Sequence, residues 1–102
     1  MFRIILTYPA GKDAKLDFDY YIGKHVPLTK ALLGEHGLID IQPNRCLQTL
    51  EGDKPGFVCI TVVDFTDKEA FDTAYAIHGE TLLADIPNYT NIEPEVDICE
   101  VL

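Results

Sequence analysis

The stretch Phe57 to Glu69 reads FVCITVVDFTDKE and places a buried strand directly before a helix. The segment Phe57 to Phe65 is apolar on both faces apart from Thr61 and Asp64, which is typical of a central strand. The next four residues, TDKE, have the spacing of a capping box with Thr66 as the predicted N-cap. The stretch therefore predicts a central strand followed at once by a helix.

Three further strands are predicted on either side of this stretch. The segment Leu38 to Leu50 forms strand two, which a Gly- and Pro-containing turn joins to the central strand as an antiparallel hairpin. The segments Phe2 to Tyr8 and Ile92 to Leu102 alternate between apolar and polar residues as strands one and four. A proline in each of strands two and four removes a ladder donor, which predicts that both lie at sheet edges.

The first helix is predicted over Asp17 to Leu28, which reads DFDYYIGKHVPL, with Asp17 as its N-cap. One helical face forms an apolar stripe that ends in a histidine: Phe18, Tyr21, Ile22 and His25. Pro27 cannot donate a backbone hydrogen bond and its ring clashes with the preceding turn, so the helix should break or kink near His25.

The helix after the central strand also ends its inner face in a histidine. Gly79 is predicted to close it, with one or two further turns before Pro87. The predicted inner stripe consists of Ala70, Phe71, Ala74, Ile77 and His78.

The element order is βαββαβ, which with right-handed crossovers predicts one α+β domain, residues 1–102, with a ferredoxin-like sandwich fold. Strands one and three would be central, and the helices would cover one sheet face. The other face is too apolar to be left in water. We therefore expect a homodimer whose sheets stack face to face at about 10 Å.

Composition excludes several classes of protein. The net charge of −9 argues against binding to nucleic acid or an anionic membrane, and no apolar run approaches the roughly 20 residues of a membrane span. The three cysteines lack CxxC spacing and lie in predicted strands, which favours a reducing cytoplasm. No phosphate-binding or Rossmann motif is present, and the chain contains no serine, so no cofactor and no Ser/His/Asp triad are expected.

Two segments resemble the EthD family, named for ethyl tert-butyl ether degradation. The first is Asp19-Tyr20-Tyr21 followed by His25-Val26-Pro27-Leu28, and the second is His78-Gly79-Glu80 followed by the run ADIPNYTNIEP from Ala84. Together with the opening strand and its Tyr8-Pro9, the resemblance spans essentially the whole chain. It implies a dimeric α/β barrel whose superfamily includes cofactor-independent monooxygenases, isomerases and cyclases.

His25 is the first candidate for a catalytic role, because its unperturbed pKa near 6.5 lets a histidine give or take a proton near neutral pH. Tyr21 lies one helical turn earlier and could orient a substrate or donate a hydrogen bond. A core histidine with a purely structural role is the alternative interpretation.

Four further residues are candidates for substrate binding. Asp85 could hold His78 in one tautomer, as an acid–base unit or as a structural clasp, and His78 could instead stabilise the end of its helix. Asp64 could line a pocket or form a cap or salt link, and Phe18 shares the helical face of His25. A metal site made of His25, His78 and Asp85 is not expected, because the spacing matches no metal motif.

Two functions remain open at this point. The chain could be a cofactor-independent oxidoreductase or isomerase that acts on a small hydrophobic metabolite with an aromatic, quinone or lactone-like group. Alternatively, it could bind such a molecule without chemistry, as an accessory protein to an oxygenase or degradation system.

Overall fold

A computed structural model describes residues 1–102 and contains one four-stranded antiparallel sheet of order β2-β3-β1-β4. The strands are β1 (Phe2–Pro9), β2 (Leu38–Arg45), β3 (Phe57–Phe65) and β4 (Glu95–Glu100). The predicted ferredoxin-like α+β fold is confirmed, with β1 and β3 central and β2 and β4 at the edges.

The helices lie on one face of the sheet. The first helical region consists of α1 (Phe18–Tyr20), a π-helical segment (Tyr21–His25) and α2 (Val26–Leu33), and a 3-10 turn (Gly34–His36) follows it. The second region consists of α3 (Lys68–Asp85) and a 3-10 turn (Ile86–Asn88). None of these helices has the length and apolar composition needed to span a membrane.

The core forms where residues of β1 and β3 face the helices. The paired residues on this side are Phe2 and Phe65, Ile4 and Val63, Leu6 and Thr61, and Tyr8 and Cys59. Phe65 and Cys59 are fully buried, and Tyr8 is almost so. Burial of apolar surface stabilises the fold by about 25 cal/mol per Å², so this row of pairs contributes much of the stability.

Pro27 does not break the first helix; it follows a single π-helical turn. The backbone N–H of Val26 donates to Tyr21 O, five residues earlier, and Pro27 is the second residue of α2, in the first turn, where its missing N–H is tolerated. The extra residue in the turn changes the phase of the helix. Tyr21 is buried and His25 is half-buried, whereas Ile22 of the predicted stripe is exposed.

The helix α3 differs from the prediction at both its start and its middle. The N-cap is Asp67, not Thr66, and its side chain accepts a hydrogen bond from Ala70 N at 2.8 Å. The helix does not end at Gly79 but continues through it to Asp85. The Tyr75 ring packs so close to Gly79 that a Cβ there would lie 3.0 Å from ring atoms, which accounts for the glycine. Ile77 is exposed, so the predicted inner stripe is wrong at that position.

The edge strands are shorter than predicted. The strand β2 ends at Arg45, and β4 begins only at Glu95, after Ile92 and Pro94. The hairpin between β2 and β3 is confirmed, but its connection is an 11-residue loop, residues 46–56, rather than a tight turn. Hydrogen bonds within this loop, such as Thr49 N to Asp53 O at 3.0 Å, replace the predicted strand pairing.

The sheet face away from the helices is called here the open sheet face. Its centre is formed by four half-buried apolar side chains of β1 and β3: Ile5, Val58, Ile60 and Val62. Next to them Arg3 donates two hydrogen bonds to Asp64, at 2.7 and 3.0 Å. The open sheet face is therefore apolar at its centre, and its one buried carboxylate, Asp64, is paired with Arg3.

Candidate functional site

A cavity of about 370 Å³ lies between the helices and the sheet and is called here the core cavity. Hydrophobic residues make up 17 of its 22 lining residues, and the lining contains no Lys, Arg, Asp or Glu. His25 and Thr61 are among the few polar groups that line it. A largely apolar pocket with a small number of polar groups is the usual form of a small-molecule site.

His25 is held in one orientation by Asp85. His25 Nδ1 lies 2.9 Å from Asp85 Oδ2, and the two side chains are only 12% and 14% exposed. Because an ionised carboxylate can only accept hydrogen bonds, Nδ1 carries the proton and donates it. The other ring nitrogen, Nε2, makes no hydrogen bond within the chain, so neutral His25 presents Nε2 as a free acceptor.

Asp85 is the centre of a small polar network. Its Oδ1 accepts hydrogen bonds from Tyr20 OH at 2.7 Å and from Asn88 Nδ2 at 3.0 Å. Burial would raise the pKa of Asp85, but the hydrogen bonds from Asn88, Tyr20 and His25 outweigh it and lower the pKa to about 2. Asp85 is therefore ionised at neutral pH and can stabilise a positive charge on the His25 ring.

Backbone links bring this network to the first helical region. Asp17 N donates to Tyr89 O at 2.7 Å, Thr90 Oγ1 donates to Lys15 O at 2.6 Å, and Leu16 forms an isolated β-bridge with Thr90. The segment after α3 is thereby fixed against the start of α1. Residues 60 or more positions apart in the sequence, such as His25 and Asp85, meet for this reason.

Three tyrosines form the polar end of the core cavity. Tyr8 OH and Tyr89 OH lie 2.8 Å apart, and Tyr21 OH lies 2.6 Å from Thr61 Oγ1. Burial is the main cause that raises the pKa of Tyr8, Tyr21 and Tyr89 well above the usual range for a phenol. These phenols therefore stay protonated and can act as hydrogen-bond donors.

The His25 ring packs between two of these tyrosines. It stacks on the Tyr21 ring with an interplanar angle of 15° and a centroid distance of 5.6 Å. The Tyr89 ring lies against it at 4.6 Å. Tyr21 and His25 are the first and last residues of the π-helical turn, and both lie on the inward side of the first helical region.

The other candidate binding residues lie elsewhere. His78 packs against the His36 ring at 5.3 Å and does not contact Asp85, whose three side-chain partners are those named above. Asp64 forms the salt link with Arg3, one of the three roles predicted for it, and lies on the open sheet face. None of His78, Asp64 and Phe18 lines the core cavity.

Phe18 lines a second, more open cleft of about 420 Å³ between the first helical region and β2. The guanidinium of Arg45 lies 4.2 Å from the centre of its ring, a cation–π contact. Exposed Ile22 borders the same cleft. The first helical region therefore borders two spaces: Tyr21 and His25 line the core cavity, whereas Phe18 and Ile22 line the cleft.

The contributions of Tyr8, Tyr20 and Tyr89 to the site are not predicted from the sequence. The alternation of strand one already placed Tyr8 on the core side. For Tyr20 and Tyr89 no local pattern was available, since their partners come from another part of the chain. The structure contains no group of three or more side chains suited to hold a metal ion.

Neither the comparison with protein-family models nor the comparison with curated proteins gave a match. Solved structures do match. The chain is 32% identical to an EthD-like protein from Ralstonia eutropha JMP134, with a TM-score of 0.91, and the match covers 99% of this chain and 91% of that one.

Two more distant structures share the fold. An ethyl tert-butyl ether degradation (EthD) family protein from Bacillus halodurans C-125 is 19% identical, with a TM-score of 0.71 and coverage of 100% and 99%. A cofactor-independent oxygenase from Streptomyces nogalater is 13% identical, with a TM-score of 0.60 and coverage of 99% and 93%. At these identities the likeness concerns the fold alone.

Proposed function

Since the chain belongs to the EthD family, we propose that it binds a small, largely apolar metabolite in the core cavity and that His25 transfers a proton there. The proposal rests mainly on the pairing of His25 Nδ1 with Asp85 at 2.9 Å, at the wall of an apolar cavity. A histidine fixed by a carboxylate in this way has one nitrogen committed to the protein and one available to a ligand.

The chemistry follows from the protonation states. Nε2 of His25 accepts a proton from an O–H or activated C–H group of the ligand, and the resulting imidazolium is stabilised by ionised Asp85. The electron pair of the broken bond stays on the ligand as an enolate- or phenolate-like anion. Return of the proton to a different atom completes an isomerisation, and an oxidation would instead require dioxygen as the second reactant.

Tyr21 supports this role from the same wall of the cavity. Its buried hydroxyl, paired with Thr61 at 2.6 Å, stays protonated because burial raises its pKa. A protonated phenol can donate a hydrogen bond to a ligand oxygen that gains negative charge. The Tyr8 and Tyr89 hydroxyl pair offers a second donor nearby.

The proposal is tested with a ligand-observed NMR screen of phenolic, quinone and lactone metabolites against the wild type, followed by product analysis for each hit. We expect His25→Ala to keep the fold and to lower turnover of a hit by about 100-fold or more, the usual contribution of an acid–base group. The matched control is His78→Ala, which removes the histidine that pairs with His36 outside the cavity.

Three outcomes would contradict parts of the proposal. If His25→Ala unfolds and a folded His25→Gln variant keeps full activity, the role of His25 is structural and not catalytic. Equal loss in His25→Ala and His78→Ala would move the site away from the core cavity. Saturable binding without any product would favour the second function, a non-catalytic carrier that passes its ligand to an oxygenase.

We also propose that the chain forms a homodimer through the open sheet face. Four half-buried apolar side chains at its centre, Ile5, Val58, Ile60 and Val62, support this arrangement, because an apolar patch of this kind usually meets a partner.

The cytoplasm is the proposed compartment, since its reducing conditions suit three cysteines that are all unpaired.

A further inference from the structure

The exposed side chains that line the core cavity all lie on α3 and β4, so the cavity is open to solvent between these two elements. Four of its lining side chains are about half exposed, Tyr75 at 48%, Leu83 at 53%, Val96 at 53% and Ile98 at 59%. The lining residues on the opposite walls, such as Tyr21 and Val63, are buried. We call the opening between Tyr75, Leu83, Val96 and Ile98 the exit slot.

Apart from the Tyr75 hydroxyl, the exit slot is apolar, and its four residues also line the cavity. Val96 pairs with Leu6 and Ile98 pairs with Ile4, so β4 extends the floor formed by β1 on the side of the helices. This side is opposite to the open sheet face, so sheets stacked through that face would leave the slot free. An apolar passage from a buried site to the surface is best filled by an apolar part of the same ligand.

Apart from the hydroxyls of Tyr75 and Thr29, the polar side chains that line the cavity lie at the other end. His25, the Tyr21–Thr61 pair and the Tyr8–Tyr89 pair cluster together, whereas the remaining lining is formed mainly by aliphatic and phenyl groups. With no Lys or Arg in the lining, a carboxylate or phosphate on the ligand would lose its hydration without gaining a fixed positive partner.

We propose that the ligand is an uncharged amphipathic molecule, with one hydrogen-bonding head at His25 and an apolar tail that leaves through the exit slot. This inference rests on the proposed function, because it assumes that the ligand occupies the core cavity with its reactive group at His25. It adds the charge of the ligand, its polarity at each end and the direction in which it extends.

The test uses 4-alkylphenols with chains of one to six carbons, whose hydroxyl and tail lie at opposite ends of the ring. Calorimetric titration of the full chain should show the Kd falling about two- to fourfold for each added methylene as the tail reaches the slot. Val96→Asp and Leu83→Asp, on the two sides of the slot, should bring the affinity ratio of 4-hexylphenol to 4-methylphenol close to one. Ile77→Asp places the same charge on α3 outside the cavity and should keep the wild-type ratio.

A second comparison addresses the charge of the head. 4-Pentylbenzoate should bind at least about tenfold more weakly than 4-pentylphenol, because its carboxylate loses hydration in the apolar cavity. Equal affinities would overturn the assignment of an uncharged head.

The failures of the two proposals can be told apart. If 4-methylphenol binds and the affinity does not depend on chain length, the exit-slot proposal is wrong while binding at His25 stands. If no member of the series binds, both the proposed function and the exit-slot proposal are overturned for alkylphenols. If light scattering shows that Val96→Asp halves the molecular mass, a second copy covers the slot and the tail has no exit there.

Discussion

Asp85 is the residue on which the electrostatics of the site depend. Hydrogen bonds from Asn88, Tyr20 and His25 hold its pKa at about 2, below the 3.8 of the free side chain. The folded state therefore gains stability that is fully present above pH 4 and is lost as the pH falls from about 4 to 2. The gain is on the order of 2 kcal/mol.

We expect Asp85→Asn to lower the free energy of unfolding by about that amount at pH 7 and to flatten its fall between pH 4 and 2. Urea titrations of both proteins across this range measure the difference. Asp72→Asn is the matched control, because Asp72 forms an exposed pair with Lys68 on the surface of α3. An Asp85→Asn curve parallel to that of the wild type would show that the network does not stabilise the charge.

Which residues meet in the site could be predicted only in part. His25 and Tyr21 were found from a helical stripe and a proline, signals that are local in the sequence. The sequence predicts that Asp85 pairs with His78, which lies only seven residues before it. In the structure Asp85 pairs with His25, which lies 60 residues before it. Proximity along the chain favoured His78, whereas the docking of the segment after α3 onto Lys15 and Asp17 decided the pairing.

At the scale of elements, the π-helical segment controls which side chains reach the cavity. Gly23 lies within it, is exposed, and has open space where a Cβ would be. Deletion of Gly23 should restore a regular α-helix, because a π-helical turn is one residue longer than an α-helical one. Tyr21 and the histidine would then be three positions apart in an α-helix, so their side chains would point about 60° apart around the helix axis.

We therefore expect the Gly23 deletion to keep helical circular dichroism but to lose ligand binding at His25, since Tyr21 would no longer stack on that ring. Gly23→Ala keeps the residue count and should stabilise the protein by about 0.5–1 kcal/mol with binding unchanged. Ligand-observed NMR measures ligand binding by the deletion variant and by Gly23→Ala. Full binding by the deletion variant would mean that the π-helical turn has no role in placing Tyr21.

The elements themselves were largely predictable. The two-sided apolar pattern of Phe57 to Phe65 predicts the central strand, and Pro43 within β2 and Pro94 directly before β4 predict the two edge strands. The errors came from tertiary contacts. Gly79 reads as a helix end by its propensity, yet the Tyr75 ring packs against it and α3 continues for six more residues to Asp85.

At the scale of the whole molecule, the apolar centre of the open sheet face predicts a homodimer. Val62 pairs with Ile5 at the centre of this face. Val62→Lys should convert the proposed dimer to a monomer, because a buried ammonium without a partner is costly. Size-exclusion chromatography with light scattering should show half the wild-type mass, while Ile77→Lys on the exposed side of α3 should leave it unchanged. A wild-type mass equal to one chain would contradict the dimer.

The aromatic lining of the core cavity also gives the protein an optical signal of its own. The chain has no tryptophan and five tyrosines, and four of these five, Tyr8, Tyr21, Tyr75 and Tyr89, line the cavity. In a chain without tryptophan, tyrosines dominate the near-ultraviolet absorption and circular dichroism, so most of this signal comes from rings that line one internal space. Any molecule that enters the cavity should change this spectrum without an added label.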